Sequence, residues 1–312
     1  MLDIKKSIAQ GFGKGGLYDI LKELQLFSAG IQGEVYFVEN NAGYDGNDGK
    51  SWNKAFKTLA VALAASHANI AASNKGYAAR NTIFCKGDAI VENLTKFAQK
   101  TDVIGVGSCD DYPTCRIYGQ HVLEAQTSAD YMGCHFYNLE FKPNAAGIVM
   151  TIPANQNGIE FHNCLFTSQE PDGFAIATHA IKATSSYRLK IINCKFKPDS
   201  VGAMFSTEAI WILGTTVGGL EIIGNQIFGA IGIDCDSTNA QNGIVMNNLI
   251  RCTTLAIDDT SQDLLFIDNR IITTMANDVT PQEVCNVNVK FAVGNLITGD
   301  TSTVAYPFIA VT

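Results

Sequence analysis

The sequence has few basic residues and no cluster of them. Lys and Arg number 22 against 30 Asp and Glu, which gives the 312 residues a formal net charge of −8. Nucleic acids bind to concentrated positive charge, and no run of Lys or Arg is long enough to provide it. A nucleic-acid partner is therefore not expected.

Long apolar segments are also absent. No apolar run is long enough to span a bilayer. The N-terminal sequence MLDIKKSIAQGFGKGG contains two lysines, but no seven-residue apolar core follows them. We expect neither membrane insertion nor export through a signal peptide.

The nine cysteines include no CxxC pair and no Cys/His pair with the spacing of a zinc site. We interpret them as free thiols, packed as small hydrophobic side chains in a protein made in a reducing cytoplasm. Two alternatives stay open. Cys164 and Cys194 hold the same place in successive repeats and could form a disulfide, and so could Cys109 and Cys115 within one loop.

What the sequence does contain favours strands joined by turns. Hydrophobic residues make up 46% of the chain and charged residues 17%, so the chain can bury a large interior and global disorder is excluded. Ile, Val, Phe, Thr, Asn and Gly are prominent, which is typical of β-strands and of the turns between them.

Residues 1–33 form a first segment, in which a Gly-rich stretch precedes apolar residues at helical spacing. We predict a short amphipathic helix that anchors the protein, buried either in a partner's groove or against the same chain. Its apolar face consists of Leu17, Ile20, Leu21, Leu24 and Phe27.

Residues 34–79 form a second segment with a strand, EVYFVEN, a turn-rich loop and an Ala-rich helix that ends near residue 72. Asp45 and Asp48 lie among glycines in that loop. They lack the later acidic ligand of a calcium-binding loop, so an ordinary turn is the favoured interpretation.

Residues 80–312 repeat one phrase, which reads IEFHNCLF from Ile159 and LKIINCKF from Leu189. A polar turn residue recurs at spacings of 25, 30, 32, 22, 22 and 25 residues. This turn column is Asn138, Asn163, Asn193, Asn225, Asn247, Asn269 and Gly294. Asn is the non-glycine residue that best tolerates the left-handed conformation, and Gly is its natural substitute.

Two apolar columns accompany the turn column. Two residues before it stand Phe136, Phe161, Ile191, Ile223, Val245, Ile267 and Ala292. Three residues after it stand Phe141, Phe166, Phe196, Phe228, Ile250, Ile272 and Ile297. Short strands at this period indicate a solenoid of parallel strands, since helical repeats need longer helical units and propeller blades about 40 residues.

The stretches VYFVENNAGYDGNDGKSWNKAFKTLAVAL and NTIFCKGDAIVENLTKF, with DVIGVGS after them, resemble the opening coils of the pectin-lyase-like superfamily. The resemblance extends over residues 34–300. It implies an all-β fold, a single-stranded right-handed parallel β-helix with an N-terminal capping helix. Members of the superfamily include polysaccharide lyases, glycoside hydrolases and phage tailspikes.

The candidate catalytic or metal-binding residues are acids on two neighbouring repeats: Asp234, Asp236, Asp258 and Asp259. Such a cluster could raise one carboxyl pKa for general-acid catalysis or hold Ca²⁺. The alternative is that they are solvated turn residues. Arg251 and Arg270 stand beside the turn residues rather than the acids, which argues against a lyase. Trp211 is expected to lie in the interior.

The expected function is that of a non-enzymatic phage virion protein, a capsid decoration, fibre or short spike. It would be made in the host cytoplasm, contact other virion proteins through residues 1–33, form a homotrimer and, as a further option, bind a host surface glycan. The alternative is a polysaccharide lyase or glycoside hydrolase that uses the acids. A third option is a cell-surface β-helix exported by a nonclassical route.

Overall fold

A computed structural model describes the following residues: 33–72, 79–107, 115–124, 133–168, 176–198, 204–215, 217–237, 240–260, 264–273, 285–287, 291–299 and 305–308. The predicted anchor helix of residues 17–27 lies outside them, and so does Cys109.

The described chain is mostly β-strand, and all but the last of its strands pair in parallel with those of the preceding and following repeats. The pairing arranges the strands in three rows, and each coil of the chain visits the rows in turn. Stacking of many short strands in sequence order is consistent with a β-solenoid, which confirms the prediction of a mostly β chain with parallel stacking.

The first row runs from the N-terminal to the C-terminal end of the molecule. It contains β1 (Val35–Glu39), the first half of β2 (Asn81–Val91), β3 (Thr101–Gly105), β6 (Cys134–Tyr137), β9 (Glu160–His162), β12 (Lys190–Ile192), β16 (Glu221–Ile223), β19 (Gly243–Met246), β21 (Leu264–Ile267) and β24 (Phe291–Val293).

The second row follows the first across a tight turn. It contains the second half of β2, β4 (Cys115–Tyr118), β7 (Glu140–Lys142), β10 (Leu165–Thr167), β13 (Lys195–Lys197), the first parts of β17 (Gln226–Ser237) and β20 (Leu249–Asp259), β22 (Arg270–Thr273) and β25 (Asn295–Gly299). A final strand, β26 (Ala305–Phe308), pairs antiparallel with β25.

The third row carries the candidate acids. It contains β5 (His121–Val122), β8 (Ile148–Ile152), β11 (His179–Thr184), β14 (Phe205–Gly214), the later parts of β17 and β20, and β23 (Cys285–Val287). A separate parallel pair, β15 (Val217–Gly218) with β18 (Ala240–Gln241), connects the third row of one coil to the first row of the next.

A helix covers the N-terminal end of the core. After a short 3-10 turn (Trp52–Lys54), α1 (Leu59–Ala72) buries Leu59, Leu63 and Ile70. Asp45 accepts hydrogen bonds from the backbone N–H groups of Lys57 and Thr58, at 2.8 and 2.9 Å. Asp45 therefore fixes the turn that leads into the helix.

The core is built from columns of in-register side chains. In the second row Phe141, Phe166 and Phe196 are fully buried, and the rings of Phe166 and Phe196 stack with centroids 4.9 Å apart. Neighbouring parallel strands place equivalent side chains about 4.8 Å apart, which suits stacked rings.

The alignment of the repeats predicted from the sequence is wrong by one residue in two coils. The left-handed turn residues include Gly224 and Asp268, with φ of 70° and 51°, where the alignment had placed Asn225 and Asn269. The remaining members of the turn column have positive φ: Asn138, Asn163, Asn193, Asn247 and Gly294.

The same offset moves four side chains from the interior to the outer surface. Ile222 and Phe266 are the inward residues of the first row, and Ile227 and Ile271 those of the second. The predicted inward residues Ile223, Phe228, Ile267 and Ile272 are their neighbours and face outward, because successive residues of a strand alternate between its two faces.

Asn225 and Asn269 belong instead to a buried ladder. Each side-chain amide donates to the Oδ1 of the next member, at 2.9 Å for all three steps, and also to a backbone carbonyl of the preceding coil. The members are Asn225, Asn248, Asn269 and Asn295. In earlier coils Cys164 and Cys194 occupy this column as free, buried thiols.

Cys115 is also a free thiol, and its Sγ lies 3.3 Å from that of Cys85. The hydrogen bond with Cys115, followed by burial, raises the pKa of Cys85 well above its ordinary value, and burial does the same for the pKa of Cys164. These thiols are therefore poor nucleophiles. All eight cysteines in the described part of the chain are free and buried.

Candidate functional site

The outer side of the third row aligns polar and aromatic side chains from successive coils. Lys182 is in register with Trp211, Trp211 with Asp234, and Asp234 with Asp258. Register partners on parallel strands lie about 4.8 Å apart, so these side chains form one continuous column. We call Lys182, Trp211, Asp234, Asp236 and Asp258 the third-row site.

Strand alternation places the acids of β17 on this surface. Ile233 and Cys235 are fully buried in the core, so Asp234 between them and Asp236 after them face outward. Asp258 shares that orientation because it is the register partner of Asp234.

Asp259 does not belong to the surface cluster predicted from the sequence. It is the register partner of Cys235 and is only 1% exposed, so its side chain points into the solenoid. Within the described residues, no three Asp, Glu, His or Cys side chains converge in a way that could hold a metal ion. Calcium at these acids stays a prediction.

Trp211 was expected in the interior, but it lies on the outer surface. Lys182 Nζ is 4.3 Å from its ring centroid, and the His179 ring stacks on it at 5.0 Å. Its indole N–H donates to Asp236 Oδ2 at 3.3 Å. The indole therefore joins the basic and acidic parts of the site, and the cation–π contact helps to fix its orientation.

A histidine–glutamate pair borders the site. His179 Nε2 lies 2.5 Å from Glu208 Oε2, and the Thr207 hydroxyl is 3.1 Å from the same nitrogen. Burial lowers the pKa of His179, while the carboxylate of Glu208 acts in the opposite direction. The pair holds the imidazole that stacks on Trp211.

Asp234 has the most unusual environment of the acids. It is 7% exposed, and its Oδ1 has no hydrogen-bond partner among the described residues. Burial, followed by repulsion from Asp236 and Asp258, raises the pKa of Asp234 to about 7. Near neutral pH Asp234 therefore holds a proton much more readily than an ordinary aspartate does.

Sequence reasoning missed Lys182, His179 and Glu208, because their neighbours in the site come from other coils. The equivalent stretches AIKAT, AIWIL and GIDCD begin at Ala180, Ala209 and Gly232, but only the strand register aligns them.

Arg251 lies on the second row, in register with Phe228 and Ile272. The basic residue of the column is Lys182, which lies two coils before Asp234 and is separated from it by Trp211.

Comparison with protein-family models finds no match, and none of the curated proteins is significantly similar to the chain. In the described part of the chain, no helix is both long and apolar enough to cross a membrane.

Proposed function

We propose that the protein is a non-enzymatic adhesion protein that binds a carbohydrate chain at the third-row site. The solenoid that carries the site is of the right-handed, single-stranded parallel β-helix type that the sequence resembles. The observation that supports this proposal is the continuous column of Lys182, Trp211, Asp234 and Asp258 on the outer side of one row.

Carbohydrate hydroxyls both donate and accept hydrogen bonds, so a binding surface needs acceptors and donors together. The ionised carboxylates accept, whereas Lys182 and the protonated fraction of Asp234 donate. The strand ladder holds these groups at fixed positions, which reduces the entropy lost when a ligand binds. An extended row of such groups suits a linear ligand better than a compact one.

The proposal includes location on a phage particle, with residues 1–33 contacting other virion proteins. That part is supported only by the sequence: an acidic chain of repeated short strands, preceded by a Gly-rich segment and apolar residues at helical spacing. Cryo-electron microscopy of particles carrying a labelled chain would test it, and absence of the label from purified particles would contradict it.

Binding can be tested with immobilised surface glycans of candidate host cells. We expect Trp211→Ala and Asp258→Asn to weaken retention at least tenfold. Glu221→Gln on the outer side of the first row is the matched control for Asp258→Asn, because each replaces a carboxylate by an amide. It should not change retention. Equal retention of all variants would rule out the third-row site.

A second function, glycoside hydrolysis, is favoured by one observation, the pKa of about 7 at Asp234 beside Asp258. Hydrolysis uses two carboxyl groups about 5 to 10 Å apart. The protonated Asp234 would give its proton to the glycosidic oxygen as the bond to the anomeric carbon breaks. The Asp258 carboxylate would take a proton from the attacking water or itself attack that carbon.

The two functions differ in their products. Hydrolysis predicts new reducing ends from a bound glycan, and their loss in Asp234→Asn while binding persists. Retention of the glycan without any new reducing ends would leave adhesion as the function.

A further inference from the structure

The outer side of the first row changes character along the solenoid. At its N-terminal end the chain covers its own apolar residues: Phe37 on β1 packs against Trp52, with ring centroids 4.7 Å apart, and is 3% exposed. Beyond the first coils this covering loop ends, and the outward residues of the row reach solvent.

In the middle coils one outward column of the row is charged but internally neutralised. Asp102, His135, Glu160, Lys190 and Glu221 are successive register partners. Lys190 Nζ lies 3.6 Å from both Glu160 and Glu221, and His135 Nδ1 lies 3.1 Å from Asp102. Arg80 also pairs with Asp102, at 2.8 Å, so each carboxylate of the column has a basic partner.

Towards the C-terminal end the outward residues become aliphatic. We call this surface the apolar stripe, and each residue in it is partly or largely accessible to solvent. Its members are Ile192, Ile223, Ile244, Met246, Leu265, Ile267 and Val293. Val293 is the most exposed of them, at 41%.

We propose that the apolar stripe packs against the same stripe of a further copy of this chain. The stripe lies on parallel strands, and two such surfaces can pack face to face at about 10 Å. An uncharged aliphatic surface is also complementary to itself, as a symmetric interface requires.

The absence of charge makes the stripe a poor binding surface for a strongly acidic or basic partner. Two chains of net charge −8 repel each other, so they associate most readily through surfaces without net charge. In the described residues of β19, β21 and β24 the outward positions carry no charge.

The area of the stripe indicates how much further the contact surface would have to extend. One aliphatic column on five strands and a second on two of them, at a strand spacing of about 4.8 Å, give the stripe an area on the order of 200 Å². A standard interface buries about 800 Å² per partner. The contact must therefore extend over the neutralised charged column, and we expect reversible association in the micromolar range.

Sedimentation velocity of the full chain between about 1 and 100 μM tests the proposal. We expect wild type to shift towards a closed oligomer with concentration, and Ile267→Asp to raise the dissociation constant at least tenfold. Ile272→Asp is the matched control, because it is an outward isoleucine of the same coil on the second row. It should associate like wild type.

Circular dichroism and thermal unfolding of both variants would show that the solenoid remains folded. A wild-type chain that stays monomeric throughout this range would overturn the proposal, as would equal effects of the two substitutions. Oligomers that persist unchanged in Ile267→Asp would place the interface elsewhere, for example at the N-terminal segment.

Discussion

At the scale of single residues, adjacent asparagines have different structural roles. Asn247 adopts the left-handed conformation with φ of 56°, whereas Asn248 is buried and bonds to Asn225, Asn269 and the Ile222 carbonyl. We expect Asn248→Ala to destabilise the fold by about 3 kcal/mol, because it leaves buried ladder groups unpaired. Asn247→Gly should cost less than about 1 kcal/mol. Denaturant unfolding measures both, and similar losses would contradict the ladder's role.

His121 makes stability depend on acid pH. It is fully buried, accepts a hydrogen bond from the Leu94 N–H at 3.1 Å, and burial lowers its pKa to about 3. The unfolded chain, with a pKa near 6.5, binds the proton more readily, so stability is complete above about pH 6.5 and falls as the pH drops towards 3.

Between pH 7.5 and 5 this residue should account for a loss of about 2 kcal/mol. His121→Asn keeps an acceptor for Leu94 but does not titrate, so its free energy of unfolding should vary less over that range. If the free energy of unfolding varied with pH to the same extent in wild type and in His121→Asn, protonation of His121 would not be the cause of the loss.

Asp234 should destabilise the protein at alkaline pH. Its folded pKa of about 7 lies above the usual value of 3.8, so folding favours the protonated form and stability falls as the pH rises through this window. We expect Asp234→Asn to raise stability at pH 8 by on the order of 2 kcal/mol, allowing for solvent screening at the outer surface. Thermal unfolding at pH 8 and pH 4 measures this, and the gain should vanish at pH 4.

At the scale of secondary-structure elements, α1 depends on a residue from the next coil. Glu92 accepts hydrogen bonds from the N–H groups of Leu59 and Ala60, at 2.8 and 2.9 Å, and so satisfies donors in the first turn of the helix. Glu92→Ala should cost about 1 to 2 kcal/mol and Glu92→Gln less, since Gln keeps one acceptor. Faster hydrogen exchange in α1 would accompany the loss, and unchanged exchange would count against the cap.

At the scale of the whole molecule, each coil contacts only its neighbours, as in other solenoids. Phe166 on β10 and Asn248 before β20 lie three coils apart and share no partner. Their substitution by Ala should therefore destabilise additively, within about 0.5 kcal/mol. Asn225 and Asn248 are hydrogen-bonded, so the corresponding double variant should lose less than the sum. Denaturant unfolding of both double variants distinguishes local from long-range coupling.

The sequence by itself determined the repeat, the turn chemistry and the class of fold. Short apolar strands with a recurring left-handed Asn or Gly can satisfy their backbone groups only by pairing with neighbouring copies, so the parallel stack follows from local preferences. The register in two coils did not follow, because Asn occupies two adjacent columns. One of them favours Asn for its φ, and the other for its side-chain hydrogen bonds.

Tertiary structure alone decided which residues share a surface. A shift of one residue turns every side chain of a strand to the opposite face. Ile223 and Ile267 therefore lie at the surface, and Ile222 and Phe266 lie in the core. The register also brought Lys182 beside Trp211 and turned Asp259 away from Asp258. Sequence spacing specifies neighbours along a strand, whereas the site and the apolar stripe are formed across strands, where position depends on how the whole stack is aligned.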